Sequence, residues 1–382
     1  MKQVRFGVIG LGMMGRAFAS AVTAWAELLY PPSRPVIRAV CSRSLDPEVV
    51  RWFQTNHPSL ETVTADWREV LADPDVDAVY CAVPNHLHRE VYTAAIEAGK
   101  HLMGEKPFGI DREANSRILA SAAAYPDRFV RCCSQWFFYP GMQRIGRLIE
   151  DGELGRIIEV ETGFLHSSDL DPHKPINWKR RVEENGRYGC MGDLGMHVCA
   201  LPFRAGWRPA NVRALLADIV RERPDGSGNT VPCTTWDNAT LLCETVPADG
   251  GAPFPMTIRT HRIAPGETNT LYLSVLGTRA SARFTTRAPD QLQLLRYTGG
   301  AQSWQTVEVK HDVVFPTVTA PIFESGHFDA FLQMWAAFLD ELEAGHRRSR
   351  FSGCVTPEET ELSHRLFTAA LISQAEGGVA EV

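Results

Sequence analysis

The stretch that most limits what this chain can fold into is Gly10-Leu11-Gly12-Met13-Met14-Gly15. A β-type run over residues 4–9 leads into it, and Arg16-Ala17-Phe18-Ala19-Ser20-Ala21 continues as helix-forming sequence. Strand, G-x-G-x-x-G and helix together make the phosphate-binding turn of a parallel α/β sheet. Gly10 permits the tight turn, Gly12 lets the backbone approach a pyrophosphate, and Gly15 lets the helix pack on the strand. The first helical turn, at Met13 and Met14, offers its unpaired N–H groups to the anion. Residues 10 and 12–15 are therefore expected to hold a dinucleotide.

Residues 36–41 read as a second strand. An NAD-binding sheet usually ends this strand in an acidic residue that takes the ribose hydroxyls. Here the chain runs Ser42-Arg43-Ser44. A small neutral Ser42 beside Arg43 suits a 2′-phosphate. That favours NADP(H), while an Arg43 that only stacks on adenine leaves NAD(H) open. A helix over 67–72 and a strand over 76–83 follow, ending in Pro84-Asn85-His86-Leu87-His88. Pro84, Asn85 and His88 are expected beside the cofactor. His86 and His88 have no third ligand close by, so no metal site is expected. A helix over 89–98 stops at Gly99, and the next strand runs to Glu105-Lys106-Pro107. Strand ends in such sheets are where ligands bind, and Pro107 stiffens the edge that carries Lys106. Glu105 and Lys106 join the candidate site. A helix over 111–124 and a sixth strand over 129–133 complete a doubly wound, mostly parallel α/β sheet.

After Tyr139-Pro140 the pattern changes. A helix over 142–151 is followed by β-type runs at 157–164, 212–219, 235–245, 256–261, 271–277, 280–285 and 292–297, then by helices over 328–343 and 357–376. This predicts an α+β second domain with a large, mostly antiparallel open sheet. The expected division is 1–134 for a dinucleotide-binding Rossmann domain and 135–382 for substrate binding and self-association. Within the second part, Asp193 and His197 are four residues apart, so a helix puts both on one face. A carboxylate near an imidazole raises the histidine pKa, and such a pair can move a proton near neutral pH. A purely structural pair has the same spacing. Gly189, Gly192 and Gly195 weaken a helix, which implies that something approaches it closely. His166, Asp169, Asp171 and His173 are expected in a solvated loop rather than in a pocket wall.

Composition removes several function classes. Among 382 residues the net charge is −6 with pI near 6.1, and the longest basic cluster is Arg347-Arg348-Ser349-Arg350. This is not the pattern of a nucleic-acid-binding chain. Nine scattered cysteines form no C-x-x-C pair, which suggests a reducing compartment and no zinc. No apolar run reaches membrane-spanning length and no signal peptide is seen. The expectation is a cytoplasmic protein without membrane partners.

Taken together, the residues resemble one family. Gly10-Leu11-Gly12-Met13-Met14-Gly15, Pro84-Asn85-His86-Leu87-His88, Glu105-Lys106-Pro107, Asp151-Gly152-Glu153-Leu154-Gly155, Trp178-Lys179 and Gly192-Asp193-Leu194-Gly195-Met196-His197 are similar to the glucose–fructose oxidoreductase / inositol dehydrogenase / rhizopine-catabolism (Gfo/Idh/MocA) oxidoreductases. The resemblance implies a nicotinamide dinucleotide on the first domain and a sugar, polyol or related small molecule between the domains. It implies Lys106, Asp193 and His197 as catalytic residues, with His197 as the proton carrier, and Lys179 at the substrate. It also implies homodimers or homotetramers paired through the open sheet.

The chemistry fits these residue types. Oxidising a secondary alcohol releases a hydride, taken by nicotinamide, and a proton, taken by His197 or Lys106. In the reverse direction Lys106 stabilises a developing alkoxide, and Asp193 is expected to orient His197. Where many members of the family carry an Asn-x-Arg segment, this chain has Gln135-Trp136-Phe137-Phe138. Trp136 is therefore expected to touch an apolar or sugar face rather than a carboxylate. Two other activities share these features: a glycosidase or lyase that uses NAD transiently, and a non-catalytic dinucleotide sensor.

Overall fold

Alternating apolar runs and helices build a parallel sheet from the first third of the chain. The computed structural model describes residues 1–320 and 322–382. In it β1 (Gln3–Ile9), β2 (Arg34–Cys41), β3 (Thr62–Thr64), β4 (Ala78–Cys81), β5 (His101–Gly104) and β6 (Val130–Cys132) lie in the order β3-β2-β1-β4-β5-β6. All five pairings are parallel. The helices α1 (Met13–Thr23), α2 (Pro47–Asn56), α3 (Trp67–Ala72), α4 (His88–Glu97) and α5 (Arg112–Ala124) connect the strands. Covered on both faces, the strands are nearly continuous apolar runs, and Phe6, Val8, Val79, Tyr80 and Leu102 are fully enclosed. The strand order reverses between β1 and β4, and a crevice opens at their carboxyl ends.

Beyond α6 (Pro140–Glu150) the chain builds a second, larger sheet. Its strands are β7 (Ile157–Leu165), β8 (Trp207–Ala217), β11 (Asn238–Pro247), β12 (Phe254–His261), β13 (Thr270–Gly277), β14 (Ala280–Thr285), β15 (Gln291–Arg296), β16 (Gln305–Glu308) and β17 (Val379–Glu381). A hairpin of β9 (Glu222–Pro224) and β10 (Thr230–Pro232) stands apart from it. The large sheet runs β16-β15-β14-β13-β7-β12-β11-β8-β17. Every pairing is antiparallel except that of β7 with β12. Helices α8 (Met196–Arg204) and α10 (Pro357–Glu376) cover one face. The strands alternate as a half-covered sheet should, and Leu215, Leu242 and Ile158 are left exposed. The short α7 (Val182–Asn185) lies in the connection between β7 and β8.

The chain then crosses back. On α9 (His327–Ala344), Trp335 lies with its ring 4.1 Å from that of Phe18, 4.9 Å from Tyr80 and 5.7 Å from Phe6. Arg131 of β6 pairs with Glu341 of α9 at 3.0 Å, and Cys132 bridges to Val355. The first sheet is thus closed by residues from the end of the chain. All nine cysteines are free and buried. Among the described residues no helix is long and apolar enough to cross a membrane.

Candidate active site

At the switch point β1 ends and the chain turns through Gly10, whose φ is +101°. A Cβ there would fall 2.4 Å from the Ala82 carbonyl oxygen, and one on Gly15 would fall 2.0 Å from the Gly10 oxygen. Both positions are therefore closed to any side chain. A Cβ on Gly12 would meet nothing within 4 Å, so that side is open. Gly12 begins α1 without a side-chain cap, and the N–H groups of the first turn are left for an anion. Met13 is exposed and Met14 is half-buried there. A glycine cradle with an open floor and an uncapped helix start fits a dinucleotide pyrophosphate. Ser42 and Arg43 follow β2 directly; Ser42 donates its N–H to the Thr64 oxygen, and Arg43 is exposed.

Several expected cofactor contacts are turned into the protein instead. His88 is fully buried, with Nδ1 2.8 Å from the Pro107 oxygen and Nε2 3.0 Å from the Val83 oxygen. Burial pulls its pKa down to about 4. No ring nitrogen remains for a ligand, which corrects the expectation for His88. Its ring instead meets two carbonyls at strand ends, where no ladder partner exists. Asn85 follows Pro84 and donates Nδ2 to Asn185, at 3.1 Å to the main-chain oxygen and 3.0 Å to Oδ1. The Glu105 carboxylate, also buried, accepts from the Tyr80 hydroxyl at 2.7 Å and from the Lys106 N–H at 3.2 Å.

Lys106 meets the second domain at one carboxylate. Its Nζ donates to the Asp193 main-chain oxygen at 2.7 Å and to Oδ1 at 3.0 Å. Lys179 donates to the same Oδ1 at 3.0 Å and to Oδ2 at 3.1 Å. Arg262, at the end of β12 and 1% exposed, reaches Oδ2 at 3.4 Å and the Lys179 oxygen at 3.0 Å. Burial alone would raise the Asp193 pKa, but the three cations hold it well below the usual carboxylate range. Burial would lower Lys106, yet Asp193 and Glu105 raise it above an ordinary lysine. Lys179 goes the other way: burial is the largest effect and lowers it, Asp193 pulls it up, and Lys106 and Arg262 push it down. Arg262 carries no motif and was not a candidate in the sequence.

The expected bond between Asp193 and His197 is not formed. A π-turn at Met191–Gly195 precedes α8, and the Asp193 carboxylate is fully engaged by its three cations. The His197 ring lies 3.3 Å by Nδ1 from Ser134 Oγ and edge-on to Trp136 and Phe164. Burial first, then Lys106, push its pKa well below that of a free imidazole, against a weaker pull from Asp193. This corrects the expected cationic histidine: His197 is neutral. The glycines do admit a close approach, but from the protein. A Cβ on Gly195 would fall 2.5 Å from the Phe367 ring of α10. Trp136 is 3% exposed and stacks on Tyr139, with its edge toward His327.

Beside this cluster lies a cavity of about 270 Å³, with His166, Asp169, Asn177, Trp178, Lys179 and Asp193 in its wall. His166 and Asp169 are buried, contrary to the solvated-loop expectation, whereas Asp171 and His173 are exposed. The reason is Arg223 of the β9–β10 hairpin, 1% exposed. It donates to the main-chain oxygens of Asp169 at 2.5 Å, Asp171 at 2.7 Å and Lys174 at 3.2 Å, and so folds the loop against the site. Among the described residues no three His, Cys, Asp or Glu side chains come together as a metal site.

Comparison with known proteins assigns both parts of the chain to one family. Residues 4–130 match the family model described as "Oxidoreductase family, NAD-binding Rossmann fold", and residues 142–283 match "GFO/IDH/MocA C-terminal domain". Levoglucosan dehydrogenase of Pseudarthrobacter phenanthrenivorans is 28% identical over 310 residues, covering 77% of this chain and 76% of that protein. D-xylose 1-dehydrogenase (NADP(+)) of Hypocrea jecorina is 23% identical over 253 residues, covering 63% and 61%. A solved structure of levoglucosan dehydrogenase in complex with NADH and levoglucosan superposes with TM-score 0.88, at 25% identity over 100% of both chains. With its dinucleotide cradle, its Lys106–Asp193 junction and both halves matched, the chain belongs to the Gfo/Idh/MocA family of NAD(P)-dependent oxidoreductases.

Proposed function

We propose that the protein is a dehydrogenase that interconverts a hydroxyl and a ketone on a sugar or polyol, with residues 1–134 holding the cofactor and 135–382 the substrate. The observation that carries this reading is the junction of Lys106 with Asp193, set between the glycine cradle and a polar cavity. The names of the relatives, which include dehydrogenases of levoglucosan and D-xylose, support the substrate class.

When bound, the nicotinamide takes or gives a hydride. The rest of the chemistry falls to the protein. Lys106 contacts the reacting oxygen, exchanges its proton and stabilises negative charge as it develops there. His197, neutral, hydrogen-bonds the substrate hydroxyl. Trp136 and the aromatic rings around it keep water from the cleft, which strengthens each of these interactions. Lys179 holds Asp193 against the substrate side of the cavity.

For the cofactor we favour NADP, with NAD second, because Ser42-Arg43 stands at the tip of β2 where NAD enzymes carry a carboxylate. The exposed Leu215, Leu242 and Ile158 on the uncovered sheet support a homodimer or homotetramer, and the nine free cysteines suit the cytoplasm. The test is a fluorescence titration of the purified protein with NADPH and NADH, followed by absorbance at 340 nm over a panel of sugars and polyols. A sugar-dependent absorbance change supports the reading. Dinucleotide binding without any such change across the panel refutes it.

A further inference from the structure

Six of the 39 basic residues in this chain are lysines: Lys2, Lys100, Lys106, Lys174, Lys179 and Lys310. Apart from Lys174–Asp169, arginine makes the ion pairs found elsewhere among the described residues, as in Arg131–Glu341, Arg204–Glu359 and Arg348–Asp340. At Asp193 the usage is reversed, with two lysines on Oδ1 and one arginine on Oδ2. Arginine would hold a carboxylate at least as well, through two parallel bonds, but it never gives up its proton. A lysine can. The two lysines also differ in access to water: the side chain of Lys106 is 18% exposed, that of Asp193 7% and that of Lys179 39%. The two lysines meet at one oxygen atom, Asp193 Oδ1, and Lys179 is the more exposed of the pair.

We infer that Lys106, Asp193 Oδ1 and Lys179 form a proton path that carries the substrate's hydroxyl proton from the cleft to solvent, with Lys179 as its outer end. This rests on the dehydrogenase reading for its direction. The cycle begins with Lys106 as ammonium and Lys179 as neutral amine. A proton passes from Lys106 Nζ to Asp193 Oδ1, and the same oxygen passes it on to Lys179 Nζ, so that the carboxylate ends as it began. Lys106 is left with a lone pair. That lone pair takes the substrate's O–H proton while the C–H bond of the same carbon gives up its hydride. The C=O bond forms and Lys106 is an ammonium again. Lys179 then releases its extra proton to water, so that one proton and one hydride have left the alcohol.

The surroundings of Lys179 fit this part. It is faced by Asp193, Lys106, Arg262 and His166, and Asp169 nearby is already paired with Lys174 at 3.0 Å. His166 is uncharged at neutral pH, its pKa drawn to about 4 chiefly by burial. Three basic groups therefore share one carboxylate, and Lys179 is the lysine whose pKa is lowered there while that of Lys106 is raised. The two lysines titrate as a coupled pair.

The test uses the free protein labelled with [ε-13C]lysine, whose six signals are followed by NMR against pH and assigned by their loss in Lys179→Arg and Lys106→Arg. The Lys179 signal is expected to titrate below the range of an ordinary exposed lysine. The Lys106 signal should report the same step in the wild type and lose it in Lys179→Arg. Independent titration of both lysines in the ordinary lysine range overturns the path. No sugar is needed, so failure of this result and failure of the dehydrogenase reading are told apart. In turnover with the fastest sugar of the panel, Lys179→Arg should lower kcat about tenfold with unchanged NADH fluorescence, and methylamine should restore rate to Lys179→Ala. A raised KM at wild-type kcat in Lys179→Arg would instead leave Lys179 as a substrate contact alone, and the path would be wrong.

Discussion

The Oγ of Ser134 lies 3.3 Å from Nδ1 of His197, with 3% and 4% of the two residues exposed. Apart from this hydroxyl, the imidazole is edged by the rings of Trp136 and Phe164. Ser134 therefore holds the orientation of the His197 ring and with it the direction in which Nε2 points. Ser134→Ala should lower kcat about fivefold, the worth of one neutral hydrogen bond, with NADH affinity unchanged. Ser134→Thr, which keeps the hydroxyl, should recover most of the loss. Equal kcat in the alanine variant and the wild type would show that His197 needs no such partner.

Lys106→Met should abolish turnover, by about a thousandfold or more, while dinucleotide binding stays within a factor of two or so of wild type. The cradle at Gly10–Gly15 does not depend on this side chain, and Asp193 keeps Lys179 and Arg262. NADH fluorescence and steady-state rates measured on one preparation separate the two effects. A variant that turned over near the wild-type rate would remove Lys106 from the chemistry.

Arg43→Ala should weaken NADPH by roughly ten- to a hundredfold, the range of a charge-assisted phosphate contact, and leave NADH nearly unchanged. The comparison is made by paired titrations at one salt concentration, since such contacts are screened. Equal losses for both cofactors would mean that Arg43 touches the adenine and not a 2′-phosphate.

Stability should fall with acid in two stages. His88 and His166 are buried neutral with pKa values of about 4, against about 6.5 in an unfolded chain. Between those values the unfolded state binds protons that the folded state refuses, so stability is full above pH 6.5 and is lost as pH falls toward 4. Each histidine accounts for up to ~3 kcal/mol. Asp193, held below the ordinary range, stabilises above about pH 4 and gives way below it. Urea midpoints between pH 7.5 and 4 measure this. His88→Asn should flatten the first stage, and a wild-type midpoint constant down to pH 5 would refute the assignment.

The sequence shows local pattern well and charge competition poorly. The G-x-G-x-x-G turn, the lysine before Pro107 and the strand runs are legible because each is a few consecutive residues with one physical reason. The ring of cations around Asp193 is not. Lys106, Lys179 and Arg262 come from three elements, and Arg262 follows β12 with no spacing signal at all. Spacing alone pairs Asp193 with His197, but a carboxylate flanked by three cations has no reason to turn to a neutral ring. Ser134 could have been suspected, since it stands just past the carboxyl end of β6 on the ligand side of the sheet. The burial of His166 and Asp169 could not, because it depends on Arg223, some fifty residues further along the chain.

Trp335 has a last consequence. Phe6, Phe18 and Tyr80 have no complete apolar cover until α9 arrives. During synthesis the N-terminal sheet must wait on the ribosome with those rings open while the whole second sheet is translated. The protein's vulnerable interval in the cell is therefore the time between emergence of β6 and emergence of α9. A chain cut after residue 134 would stay in that state permanently, which makes the helix a timer for maturation as well as a wall of the first domain.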